Sequence, residues 1–73
     1  MKNRIDLCTL KDVNEFCASL ANFDGDVYLV DSTHSFKVNA KSQIACLLAQ
    51  AEWNQTWVQS DKDCYELIKK WVI

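Results

Sequence analysis

Between Leu10 and Phe23 the apolar residues Leu10, Val13, Phe16, Cys17 and Leu20 recur three or four positions apart, the period that lines one face of an α-helix. The spacing predicts an amphipathic helix ending near Phe23-Asp24-Gly25. Val27-Tyr28-Leu29-Val30 is β-branched and aromatic, and beyond the polar run Asp31-Ser32-Thr33-His34 the stretch Ser35-Phe36-Lys37-Val38-Asn39 alternates strictly. These read as two hairpin-linked strands. Ser42 then stands as the N-cap of a second helix whose buried face is expected to be Ile44, Leu47, Leu48 and Ala51. Gln55–Gln59 reads as a short strand. Ser60-Asp61-Lys62-Asp63 resembles an incomplete capping box, opening a last helix with the stripe Cys64, Leu67, Ile68 and Trp71 and with Lys69 and Lys70 suited to its C-terminal end.

With Arg4-Ile5-Asp6-Leu7-Cys8 as a first alternating strand, the order is β-α-β-β-α-β-α. That order predicts an α+β fold, an open-faced two-layer sandwich with the helices on one face of a four-stranded, mainly antiparallel sheet. A single domain, residues 1–73, accounts for the chain, which has no proline and only Gly25 as punctuation. Alternation must place some of Tyr28, Val30, Trp57 or Val58 on the uncovered face, while Trp53 and Trp71 are expected to fill the core. A contiguous aromatic group on that face would offer a contact surface, and the alternative functional reading is a structural or assembly module that forms a homodimer through it.

Composition narrows the chemistry. At 49% hydrophobic and 25% charged residues the chain is an ordinary globular one, too short to enclose a deep substrate pocket. Net charge is −2 and the cations are scattered along the sequence, with no stripe to neutralise a run of phosphates, so no nucleic-acid partner is expected. No window is apolar enough for a membrane span or a leader, which leads to the expectation of a cytoplasmic protein. Cys8, Cys17, Cys46 and Cys64 form no closely spaced pair and only one histidine is present, so neither metal nor cofactor is expected. The cysteines read instead as small core residues. His34 falls in the strand-to-strand turn as a solvated residue, and the pairs Asp24/Asp26 and Asp61/Asp63 fit turns and caps rather than catalysis. No enzymatic constellation emerges.

Val38-Asn39-Ala40-Lys41-Ser42-Gln43-Ile44-Ala45-Cys46-Leu47-Leu48 resembles the segment that enters the second helix of HPr, the histidine phosphocarrier of the bacterial sugar phosphotransferase system. The element order is similar to that family's, and Phe16 and Phe23 sit where it often places phenylalanines. The family's histidine, arginine and proline before the first helix correspond here to Thr9-Leu10-Lys11-Asp12, with no phosphoacceptor imidazole. The resemblance therefore implies an HPr-like domain without carrier chemistry, serving as a regulatory or protein-binding module. It also implies phosphorylation at Ser42 by a dedicated serine kinase, with Lys41 as a nearby cation. The docking surface for that kinase or a phosphotransferase-system regulator would then include Lys41, Ile44 and Leu47 on and around the second helix.

Overall fold

The computed structural model describes residues 2–73, so Met1 of the expected 1–73 domain lies outside the described residues. Strand β1 (Lys2–Ile5) leads to helix α1 (Leu10–Leu20), then β2 (Val27–Asp31), β3 (Lys37–Asn39), α2 (Gln43–Glu52) and β4 (Thr56–Ser60). A single helical turn, α3 (Tyr65–Ile68), runs into a 3-10 turn over Lys69–Trp71. The strands form one sheet in the order β1-β4-β2-β3 with every neighbouring pair antiparallel. The α+β class and the four-stranded antiparallel sheet agree with the sequence pattern.

Register divides the sheet into two faces. Leu29 pairs with Val58 on one side and Val38 on the other, and Ile5 pairs with Thr56, so these residues share the inner face. Ile5, Val27, Leu29 and Val58 merge there with Val13, Phe16 and Leu20 of α1, Cys46 and Ala49 of α2, and Ile68 and Trp71 into one buried cluster. Phe16, with no exposed surface, meets Trp71 edge to face at 5.4 Å, a geometry contributing about 0.5–1.5 kcal/mol beyond burial. An isolated bridge from Ile5 to Val72 and a bond from the Asp6 amide to the Trp71 carbonyl tie the C-terminus to β1.

Several expected details differ. Strand β1 covers Lys2–Ile5 and leaves out Asp6, whose amide bonds the Trp71 carbonyl, although Ile5 and Leu7 are both buried as the alternation required. Helix α1 ends at Leu20 rather than near Phe23, whose amide closes a turn onto the Leu20 carbonyl. Strand β3 begins at Lys37 because the Ser35 and Phe36 amides both donate to Asp31 Oδ1, which holds them in the turn. Ser60 remains in β4 opposite Val27, and Asp63 Oδ1 accepts from the Tyr65 amide at the start of α3. Val58 lies in the core, not on the open face.

The largest correction concerns α2. Its buried residues are Cys46 and Ala49, while Ile44 and Leu48 are 73% and 55% exposed, Ala51 is exposed and Leu47 is half-buried. The helix is apolar on more than one side, so periodicity alone could not choose its inner face. The small side chains turn inward, where Cys46 Sγ and Cys17 Sγ both lie against the Ala40 carbonyl and the helices approach closely.

Candidate functional site

Ser42 caps α2 as its position suggested. Its backbone is extended, and its Oγ accepts a 3.3 Å bond from the Ala45 amide. The side chain is half-exposed at the entry to the helix. Lys41 stands beside it with its amide held by Asn39 Oδ1, but its Nζ turns away, donating to the Phe23 carbonyl and lying 5.9 Å from the Phe23 ring. Ile44 follows in the open, and Leu47 packs partly against the core. Thus Ser42 and Ile44 share the exposed N-terminal end of α2, whereas Lys41 is bonded to Phe23 in the segment after α1.

Ile44 and Leu48, one helical turn apart, lie on the same side of α2. Phe36, 63% exposed, joins Leu48, Val38, Ala45 and Trp53 around a groove of about 250 Å³. Sequence reasoning missed Phe36 and Leu48 as surface residues, placing one in a strand and the other in the core. The available signal was the surplus of apolar residues on α2 over what one face can bury.

The start of α1 is occupied by the protein's own anion. Thr9 is the N-cap, and Thr9 Oγ1 accepts from the Asp12 amide at 3.1 Å. Asp12 Oδ2 in turn accepts from the amides of Thr9 and Cys8 at 3.3 and 3.1 Å, completing a capping box. Partial desolvation pushes the Asp12 carboxyl up, but the nearby Trp71 indole, the two amides and the Thr9 hydroxyl outweigh it, so the carboxyl lies below its ordinary range. The indole acts from beyond ordinary bonding geometry, since Trp71 Nε1 is buried with no hydrogen-bond partner among the described residues. Cys8, expected in the core, is exposed, and the bond its thiol donates to the Asp6 carboxylate pushes its pKa up, the opposite of an activated nucleophile.

Cys17 is half-buried, Cys46 and Cys64 are buried, and none of the four cysteines is in a disulfide among the described residues. Burial, followed by contact with Cys17, pushes the Cys46 thiol far up. His34 occupies the β2–β3 turn with φ 61°, exposed. Its ring bridges the Asp31 carbonyl and Lys2 Nζ; a carbonyl only accepts and an ammonium only donates, so Nδ1 carries the proton and Nε2 accepts. Among the described residues no group of His, Cys, Asp or Glu is placed to hold a metal ion, and no helix is long and apolar enough to cross a membrane.

No protein-family model, no curated protein and no solved structure matches this chain.

Proposed function

We propose that the chain is an HPr-like domain without carrier chemistry, a non-enzymatic cytoplasmic module that docks a protein partner on the outer side of α2 and is switched by phosphorylation of Ser42. The observation that carries this reading is the continuity from the Ser42 cap into Ile44, Leu48 and Phe36, large apolar side chains left outside the fold. Apolar residues at helical spacing beside a groove suit a protein partner, here a serine kinase or a regulator of the phosphotransferase system. A phosphoryl group on Ser42 would face the free amides of the first turn and the positive end of the helix dipole, and add about −1.5 to −2 charges beside Ile44. Lys41 can reach it only by releasing the Phe23 carbonyl.

The start of α1 has no imidazole to accept a phosphoryl group, and Asp12 adds to the case against a carrier reaction. Its carboxylate already takes the Cys8 and Thr9 amides that would otherwise meet a phosphate, and its charge repels one. Intact-mass measurement after incubation with ATP and an HPr-type serine kinase is expected to show one added phosphoryl group that Ser42→Ala abolishes. Incubation with phosphoenolpyruvate and the first enzyme of the phosphotransferase system is expected to add none. No addition from ATP, or a stable addition from phosphoenolpyruvate, would overturn the reading.

A further inference from the structure

Cations that are scattered along the chain converge on the side of the sheet away from the helices. The register sends two residues per strand to that face: Lys2 and Arg4 from β1, Trp57 and Gln59 from β4, Tyr28 and Val30 from β2, Lys37 and Asn39 from β3. Three are cations, two are aromatic and none is an acid, although the whole chain has a net charge of −2. Asp31, at the end of β2, belongs to the opposite register beside Thr56 and is engaged by Thr33 and by the Ser35 and Phe36 amides. Among the described residues Lys2, Arg4 and Lys37 form no ion pair, while Lys11, Lys62, Lys69 and Lys70 all do.

The arrangement across the sheet is ordered. Tyr28 and Trp57 occupy the two central strands as diagonal neighbours, since Tyr28 opposes Gln59 and Trp57 opposes Val30. Lys2 and Arg4 lie on one edge strand and Lys37 on the other, three strand spacings or about 14 Å apart. Each ring is half-exposed and is attended by flexible cations: Lys37 Nζ is 4.3 Å from the Tyr28 centroid and Lys2 Nζ 6.0 Å from that of Trp57. His34 closes the rim, edge-on to Trp57 at 6.4 Å.

We propose that this face binds single-stranded nucleic acid, with unpaired bases stacking on Tyr28 and Trp57 and with Arg4 moving from solvent, Lys37 from the Tyr28 ring and Lys2 from the Trp57 ring and its bond to His34 Nε2 onto phosphates. Stacked bases and an electrostatic margin are what sequence-tolerant single-strand surfaces combine, and a four-stranded sheet of this width suits about two or three nucleotides. A duplex keeps its base faces inside the stack, out of reach of these rings. A second copy of the chain is disfavoured because pairing this face with itself would oppose six cations with no carboxylate to offset them. An acidic peptide would satisfy the cations but make no use of the paired ring faces. The site is on the opposite side of the sheet from α2, so it stands or falls independently of Ser42.

Fluorescence anisotropy with a labelled oligothymidylate of about twelve nucleotides tests the assignment in full-length protein. Saturable binding is expected in the micromolar range at low salt, with quenching of tryptophan emission and a log–log salt slope of about −2, the value for three phosphates on a single strand. Trp57→Ala is expected to weaken binding about tenfold or more. Lys37→Glu and Arg4→Glu, exposed changes whose folding circular dichroism verifies, are each expected to flatten the slope by about 0.7. Equal affinity for a duplex of the same length or for oligoglutamate, binding unaffected by Lys37→Glu and Arg4→Glu, a dimer that buries this face, or no binding at low salt would each overturn it.

Discussion

Asp12 joins three tasks at one position: its amide is held by Thr9, its carboxylate holds the Cys8 and Thr9 amides, and its charge faces the start of α1. Thr9→Ala removes one half of the box and is expected to destabilise the domain by about 1 kcal/mol, a fall in melting temperature of roughly 4–8 °C for a chain of this size. Because the Asp12 carboxyl is lowered from 3.8 in the folded state, its stabilising contribution is complete above the unfolded value and is lost as pH falls through the folded one. Asp31, whose desolvation is outweighed by bonds from Phe36, Thr33 and Ser35, behaves in the same direction. Thermal melts from pH 6 to below about pH 3.8 should therefore show an acid loss of stability. Asp12→Asn should lower the neutral-pH melting temperature and make that loss shallower. A pH profile identical to wild type would refute the role given to this carboxylate.

At the scale of elements, α2 separates two questions that periodicity joins. That residues after Ser42 form a helix was legible from the cap and the apolar spacing, but which side turns inward was decided by the contact with α1 and the sheet. The core accepted Cys46 and Ala49, whose small volume lets the elements close, and left the bulkier Ile44 and Leu48 outside. Cys46→Leu is expected to destabilise the fold by about 1–3 kcal/mol through overpacking, measured by urea denaturation. Ile44→Asp, at a 73% exposed site, is expected to change stability by no more than about 0.5 kcal/mol in the same assay. The reverse order would restore the inner face that the spacing alone suggests. Strand β3 illustrates a second limit: alternation from Ser35 to Asn39 was real, yet Asp31 captured the Ser35 and Phe36 amides and shortened the strand.

For the whole molecule, the order of elements and the two-layer division could be read from the sequence, because strand and helix periods alternate cleanly. What could not be read was the neighbourhood of residues distant in sequence. Lys2, Arg4 and Lys37 look unrelated along the chain and become one acid-free face only through the pairing of β1 with β4, β4 with β2 and β2 with β3. The layers depend on few side chains in so small a core. Phe16→Ala, at the meeting point of α1 with Trp71, is expected to cost about 3–5 kcal/mol, close to the whole stability of a domain this size, and to leave the chain largely unfolded by near-ultraviolet circular dichroism. A cooperative native spectrum at room temperature would show that the core is less dependent on that contact.

Calorimetric titration with an HPr-type serine kinase tests most directly whether the outer side of α2 is a docking surface. Wild-type protein is expected to bind, and the double variant Ile44→Asp, Leu48→Asp, with its fold verified, to lose about tenfold or more in affinity, as removal of central apolar contacts does. Lys37→Glu on the opposite face should bind the kinase as wild type does. Failure of the wild-type chain to bind, or equal affinity in the double variant, would contradict the account.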